Sequence, residues 1–244
     1  MGKMIELTSE GGPLEAYLAE PAGEVKGAII VIHEIWALND HTKSIADRLA
    51  AEGYVALAPN LLAETNIAAH AKTLALDLFN PEKRNEAQPK LRALMTPMQE
   101  PGFGERTLAR VQACFNTLFA REDAAEHVAI TGFCFGGSYS FNLAIHEPRL
   151  KIALPFYGHA PEDVDELRKI KCPVRAFYGA NDEGLMTNLP ILKELMKEAK
   201  VDFEATVYPG CGHAFFNDTN PFAYNQVAAT DAWQKVLAEL AATL

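Results

Sequence analysis

The chain has 244 residues, 49% of them hydrophobic, enough to bury one substantial core. Its 22 Lys and Arg stand against 32 Asp and Glu, a net charge of −10, so neither nucleic acid nor an anionic membrane, both of which demand a basic face, is an expected partner. MGKMIELTSEGG contains no apolar stretch of signal-peptide length and no run approaches a membrane helix, while Cys114, Cys134, Cys172 and Cys211 are scattered without zinc spacing; a cytoplasmic protein with free thiols, no metal and no cofactor is expected.

In chain order, KMIEL and LEAYLAE flank Gly11-Gly12 and predict a hairpin. GAIIVIH, Gly27 to His33, is a continuous apolar run rich in β-branched residues, as a strand buried on both faces requires. DHTKSIADRLAAEG predicts a helix with Asp40 as N-cap and Gly53 as its stop signal. YVALAP is the next strand. From about Leu61 to Arg106 the rhythm breaks into helical pieces and the loop MTPMQEPGFG. This stretch, 61–106, is expected to be a helical excursion over the carboxyl edge of the sheet; an ordinary helical crossover is the plainer alternative. ERTLARVQACFNTLFA then predicts a helix and HVAITG a strand. LKIALPFYG and PVRAFYGAND are further strands, NLPILKELMKEA an amphipathic helix, FEATVYPG a last strand, and NPFAYNQVAATDAWQKVLAELAATL a closing helix. Strands alternating with helices predict an α/β fold: one mostly parallel sheet, helices on both faces, and a ligand crevice at the strands' carboxyl ends. One domain over 1–244 accounts for the whole chain.

The stretch ITGFCFGGSYS holds the frame Gly132-x-Cys134-x-Gly136. With serine at its centre this frame forms a nucleophile elbow, a tight strand-to-helix turn whose neighbours have no room for a Cβ. A nucleophile there needs a base and an acid that orients the base, in the chain order nucleophile, acid, histidine. Cys134 follows HVAIT, Asp182 follows VRAFYGAN and His213 follows ATVYPGCG. Each alone has a plain explanation as core cysteine, turn aspartate or loop histidine. Their order, each just past a strand end, is what makes a Cys134–Asp182–His213 triad the expected catalytic set. The amide of Phe135, opening the next helix, and that of Ile35, in the loop HEIWALND, are the candidate oxyanion donors. His33 ends a strand beside this site, and Cys211 lies two residues before His213.

The cysteine elbow, the HEIWALN loop and GCGHAFFND together resemble the dienelactone hydrolase family (carboxymethylenebutenolidases), over nearly the whole chain. The resemblance implies a single α/β-hydrolase domain acting on esters or lactones. It also implies a role for Glu34: in the family the corresponding carboxylate interacts with the resting thiol and helps deprotonate it when substrate arrives. A free thiol is only a few per cent thiolate at neutral pH, so it needs such help, or His213, to attack a carbonyl and form a thioester. The chain departs from the family where a substrate carboxylate is clamped. An arginine is expected a few residues after the histidine, and Asn217 stands there; an amide cannot replace a guanidinium fork. Arg84, Arg92 and Arg106 lie in or near the excursion. Neutral, activated esters become the expected substrates, in a pocket of Trp36, Tyr139, Tyr157, Phe215, Phe216 and Asn217, although core packing is the plainer reading of about half these rings. The alternative is a non-hydrolytic thiol redox sensor or binding protein on the same fold, with Cys211 as resolving thiol. Monomer and homodimer are equally compatible with the sequence.

Overall fold

The computed structural model describes every residue except Gly11, Asn66 and Ala125 and the side chains of Ala71, Lys72 and Phe79; half of the expected Gly11-Gly12 turn thus lies outside the described residues. Among the described residues eight strands form one sheet: β1 Lys3–Ser9, β2 Gly12–Ala19, β3 Gly27–Ile32, β4 Tyr54–Pro59, β5 Val128–Phe133, β6 Ile152–Phe156, β7 Val174–Gly179 and β8 Phe203–Tyr208. Their spatial order is β1-β2-β4-β3-β5-β6-β7-β8. The pairings β1–β2 and β2–β4 are antiparallel, and all others are parallel. The apolar runs account for the order. β3, β4 and β5 are buried at every residue and take the centre, while β1 and β8, partly exposed, take the edges.

The helices are α1 Asp40–Ala51, α2 Ile67–Phe79, α3 Arg84–Leu94, α4 Phe103–Phe119, α5 Phe135–His146, α6 Val164–Leu167, α7 Glu183–Glu198 and α8 Gln226–Thr243, with a 3₁₀ turn over Thr96–Gln99. From β3 the chain first steps outward to β4, then back across β3 to β5. Right-handed crossovers therefore put α1 on one face and α4, α5 and α7 on the other, and the reversal opens a crevice at the carboxyl ends of β3 and β5. Among the described residues no helix is long and apolar enough to cross a membrane.

Helix starts moved relative to expectation. The N-cap of α1 is Asn39, not Asp40: Asn39 is extended (φ −124, ψ 178), and its Oδ1 accepts the Thr42 N–H at 3.1 Å. Asp40 falls in the first turn, where its charge still complements the helix dipole. α7 begins at Glu183, just after Asp182, and α8 begins only at Gln226, with Asn225 Oδ1 capping the Ala228 N–H at 3.1 Å. These two shifts matter, because they leave 181–182 and 220–225 as loops at the crevice.

Candidate active site

Cys134 sits at the N-cap of α5 with φ 55 and ψ −109, a left-handed backbone rare for a residue with a Cβ. Its neighbours permit it. A Cβ on Gly132 would lie 2.2 Å from the Gly136 oxygen, and one on Gly136 would lie 2.4 Å from the Ile32 oxygen. Only glycines let β3, β5 and the start of α5 close so tightly. The Cys134 N–H donates to the Phe156 carbonyl at 3.0 Å, and Cys134 stands at the N-terminus of α5.

Asp182 occupies the N-cap of α7, but its carboxylate does not cap the helix. Asp182 Oδ2 lies 2.6 Å from His213 Nδ1 instead. The loop that carries His213 rests on the end of β7: Asn181 N–H donates to the Cys211 carbonyl at 2.7 Å, and a Cβ on Gly179 would strike the Cys211 and Gly212 oxygens at 2.5 Å. Burial opposes charge on this imidazole, yet Cys134 and Asp182 together hold it well above its ordinary value. An acid, an imidazole joined to it and a thiol thus meet at one cleft, at the ends of β7, β8 and β5.

Glu34 is buried and not a surface acid, with 3% of its area exposed. Its Oε1 accepts the Tyr157 hydroxyl at 3.2 Å and its Oε2 accepts Asn217 Nδ2 at 2.7 Å. Among the described residues no hydrogen bond joins it to the Cys134 sulfur, so the thiol contact that the resemblance implied is replaced by two neutral donors. Tyr157 reaches Glu34 from a left-handed backbone (φ 37), with its ring 4.9 Å from that of His213. Burial first, then the charges at Glu34 and Cys134, push its phenol well above the usual range, so it remains a donor.

A cleft of about 750 Å³ opens over Cys134, Asp182 and His213 and is also lined by Glu34, Ile35 and Trp36. The other expected pocket residues do not line it. Tyr139 packs on Phe135, with ring centroids 4.8 Å apart. Tyr157 and Phe215 are fully buried, and Phe216 stacks on Phe133 and packs on Trp233, away from the cleft. Asn217 lies behind Glu34. The cause is local: Asn217 N–H donates to the Ala214 carbonyl at 3.0 Å, turning the chain back beneath the sheet edge after His213. The far wall comes from residues that the motif analysis did not single out as lining: Leu78 of α2, Pro81, Gln88 and Leu91 of the α3 region, and Phe222 and Tyr224 ahead of α8, together with Arg84. The signal was available, since positions 84, 88 and 91 share one face of a helix. Cys211 also borders the cleft, and burial pushes its thiol up. Cys114 and Cys172 are buried elsewhere, their thiols pushed up to about 12.

The family described as "Dienelactone hydrolase family" matches residues 14–244. A Saccharolobus solfataricus protein named "Putative carboxymethylenebutenolidase" is 36% identical, over 97% of this chain and 96% of its own. "Protein usf" of Aquifex pyrophilus is 31% identical, over 98% of this chain and 97% of its own. A crystal structure titled as a "Putative Dienelactone Hydrolase" from Klebsiella pneumoniae superimposes with a TM-score of 0.81 at 28% identity, covering 99% of this chain and 98% of the other. Likeness of this extent, from β2 to the end of α8 and in both sequence and fold, makes the chain an α/β-fold hydrolase that belongs to the dienelactone hydrolase family.

Proposed function

We propose that the protein hydrolyses small carboxylic esters or lactones through a thioester on Cys134. The observation that carries this reading is the Asp182–His213 bond, with Cys134 bordering the same open cleft. Asp182 fixes the proton on His213 Nδ1, which leaves Nε2 to take the thiol proton. The thiolate attacks the carbonyl carbon. The Phe135 and Ile35 amides receive the oxyanion, and the positive end of α5 lowers its energy further. His213 returns the proton to the departing alcohol. A water then attacks the thioester, giving up its proton to His213, and the acid leaves as Cys134 is regenerated. Every proton in the cycle passes through one imidazole, whose charged form the Asp182 contact stabilises.

Rapid-mix kinetics with p-nitrophenyl acetate and butyrate test the reading. A burst of p-nitrophenol followed by steady turnover, lost in Cys134→Ala and in His213→Ala, is the expected result. A second reading, a thiol redox sensor, draws on Cys211 at the border of the same cleft; a burst without turnover that survives in His213→Ala would favour it.

A further inference from the structure

His33, the residue after β3, is fully buried. Both of its ring nitrogens meet main chain. Nδ1 lies 2.5 Å from the Glu34 carbonyl oxygen, and Nε2 accepts the Leu61 N–H at 3.1 Å. These contacts leave one protonation state. A backbone N–H can only donate, so Nε2 carries a lone pair, the ring is neutral, and its single proton sits on Nδ1. Burial agrees: it holds His33 down at about 4, although the Glu34 carbonyl favours the charged form.

The Nδ1–H bond fixes a peptide plane. Among the described residues there are no cis peptides, and in a trans peptide the carbonyl of Glu34 and the N–H of Ile35 point in opposite directions. With the carbonyl drawn to the imidazole, the Ile35 N–H is turned away from it. Glu34 and Ile35 both border the cleft, and no backbone acceptor among the described residues takes the Ile35 N–H. A flipped 34–35 peptide would break the bond to His33 and present a carbonyl in place of that donor. His33 is also tied to the second donor. Its own carbonyl accepts the Gly136 N–H at 3.2 Å, and its ring stacks on Phe135 with centroids 5.7 Å apart and planes 9° apart.

We propose that His33 is a positioning residue for the oxyanion site: its Nδ1–H locks the 34–35 peptide so that the Ile35 N–H stays beside that of Phe135, and its Nε2 ties this loop to Leu61, where the excursion begins. The chemistry rests on the ester-hydrolase reading above; the ring geometry does not.

Two substitutions separate the two bonds. An asparagine amide falls near Nδ1 and a glutamine amide near Nε2. His33→Asn keeps a donor for the Glu34 carbonyl and gives up the acceptor for Leu61; His33→Gln does the reverse. Each leaves one buried main-chain group unpaired, so a merely structural role would lower both activities alike. Removing an oxyanion donor outright costs about 10²–10³ in kcat, so His33→Gln, which only frees the donor to turn, is expected to lose about 10- to 100-fold in kcat for p-nitrophenyl acetate at a KM within about threefold. His33→Asn is expected to restore most of that loss. Equal losses, or the reverse order, would overturn the proposal. A ¹⁵N spectrum of the unsubstituted protein gives an answer that needs neither variant to fold: the proton is expected on Nδ1 of His33, and a proton on Nε2 would overturn the proposal whatever the kinetics. If Cys134→Ala keeps full turnover, the thioester reading fails, and the ring tautomer still decides the role of His33.

Discussion

Gly136→Ala tests the close approach on which the candidate site depends. The new Cβ would lie 2.4 Å from the Ile32 oxygen, 2.7 Å from the Ile32 carbonyl carbon and 2.8 Å from the His33 oxygen, where ordinary contact begins at 3.4 Å. All three atoms belong to the backbone at the end of a fully buried central strand, so none can swing aside. The start of α5 must retreat by about 1 Å, which also stretches the 3.2 Å bond from Gly136 N–H to the His33 carbonyl beyond hydrogen-bond range. Overpacking of this kind costs about 1–3 kcal/mol and the lost bond about 1 kcal/mol more. At about 2–4 °C per kcal/mol for a chain of this size, Tm is expected to fall by roughly 5–15 °C. The Phe135 N–H moves with the helix, and a misplacement of about 1 Å at a reacting centre can cost about 10²-fold in rate. Scanning calorimetry and burst kinetics read the two effects separately. Gly184→Ala is the control, since a Cβ there meets nothing within 4 Å. A Gly136→Ala protein with unchanged Tm and a full burst would refute the close-packing account of the elbow.

Three further outcomes are expected. His33 titrates at about 4 when folded and near 6.5 when unfolded, so the unfolded chain gains a proton first, and stability falls as pH drops from 6.5 towards 4; at pH 4.5 the loss is about 2–3 kcal/mol, measurable by urea denaturation and absent in His33→Asn. His213, raised when folded, adds no slope in that window, because below 6.5 it is protonated in both states; its contribution fades only as pH rises through its folded value. In Asp182→Asn or Cys134→Ala one of the groups that raises His213 is gone, so burial weighs more and its NMR titration moves to lower pH; an unmoved titration would break the link between the three residues. Arg84 brings a guanidinium into the cleft from α3, so Arg84→Gln is expected to raise KM several-fold for a p-nitrophenyl ester bearing a free carboxylate and to leave that for p-nitrophenyl acetate unchanged; equal effects on both would remove Arg84 from substrate binding.

The strands were legible because a run such as GAIIVI has one use in a folded chain, burial on both faces, and it became a central strand at every residue. The order Cys134, Asp182, His213 was legible because parallel topology sends every strand's carboxyl end to one edge, so three strand-end residues meet there whatever lies between them. The pocket rings were not. A phenylalanine in the core and one in a cleft wall are the same residue in sequence, and only the turn from Ala214 to Asn217 decides that Phe215 and Phe216 face inward. The partners of Glu34 were hidden by distance along the chain: Tyr157 and Asn217 lie 123 and 183 positions away. A carboxylate on a strand-end loop says nothing of its donors until the sheet is closed.

That the site is assembled across β5, β7 and β8 has a consequence for synthesis. Cys134 leaves the ribosome 79 positions before His213, an interval of about 4–16 s at ordinary elongation rates. During that time the sulfur has no His213 imidazole beside it, because the loop after β8 that carries it is still to be made. On the thioester reading, the growing chain therefore carries Cys134 without its base, and the proposed set is complete only when β8 docks beside β7. A chain cut short before β8 would keep the thiol of Cys134 and lack His213.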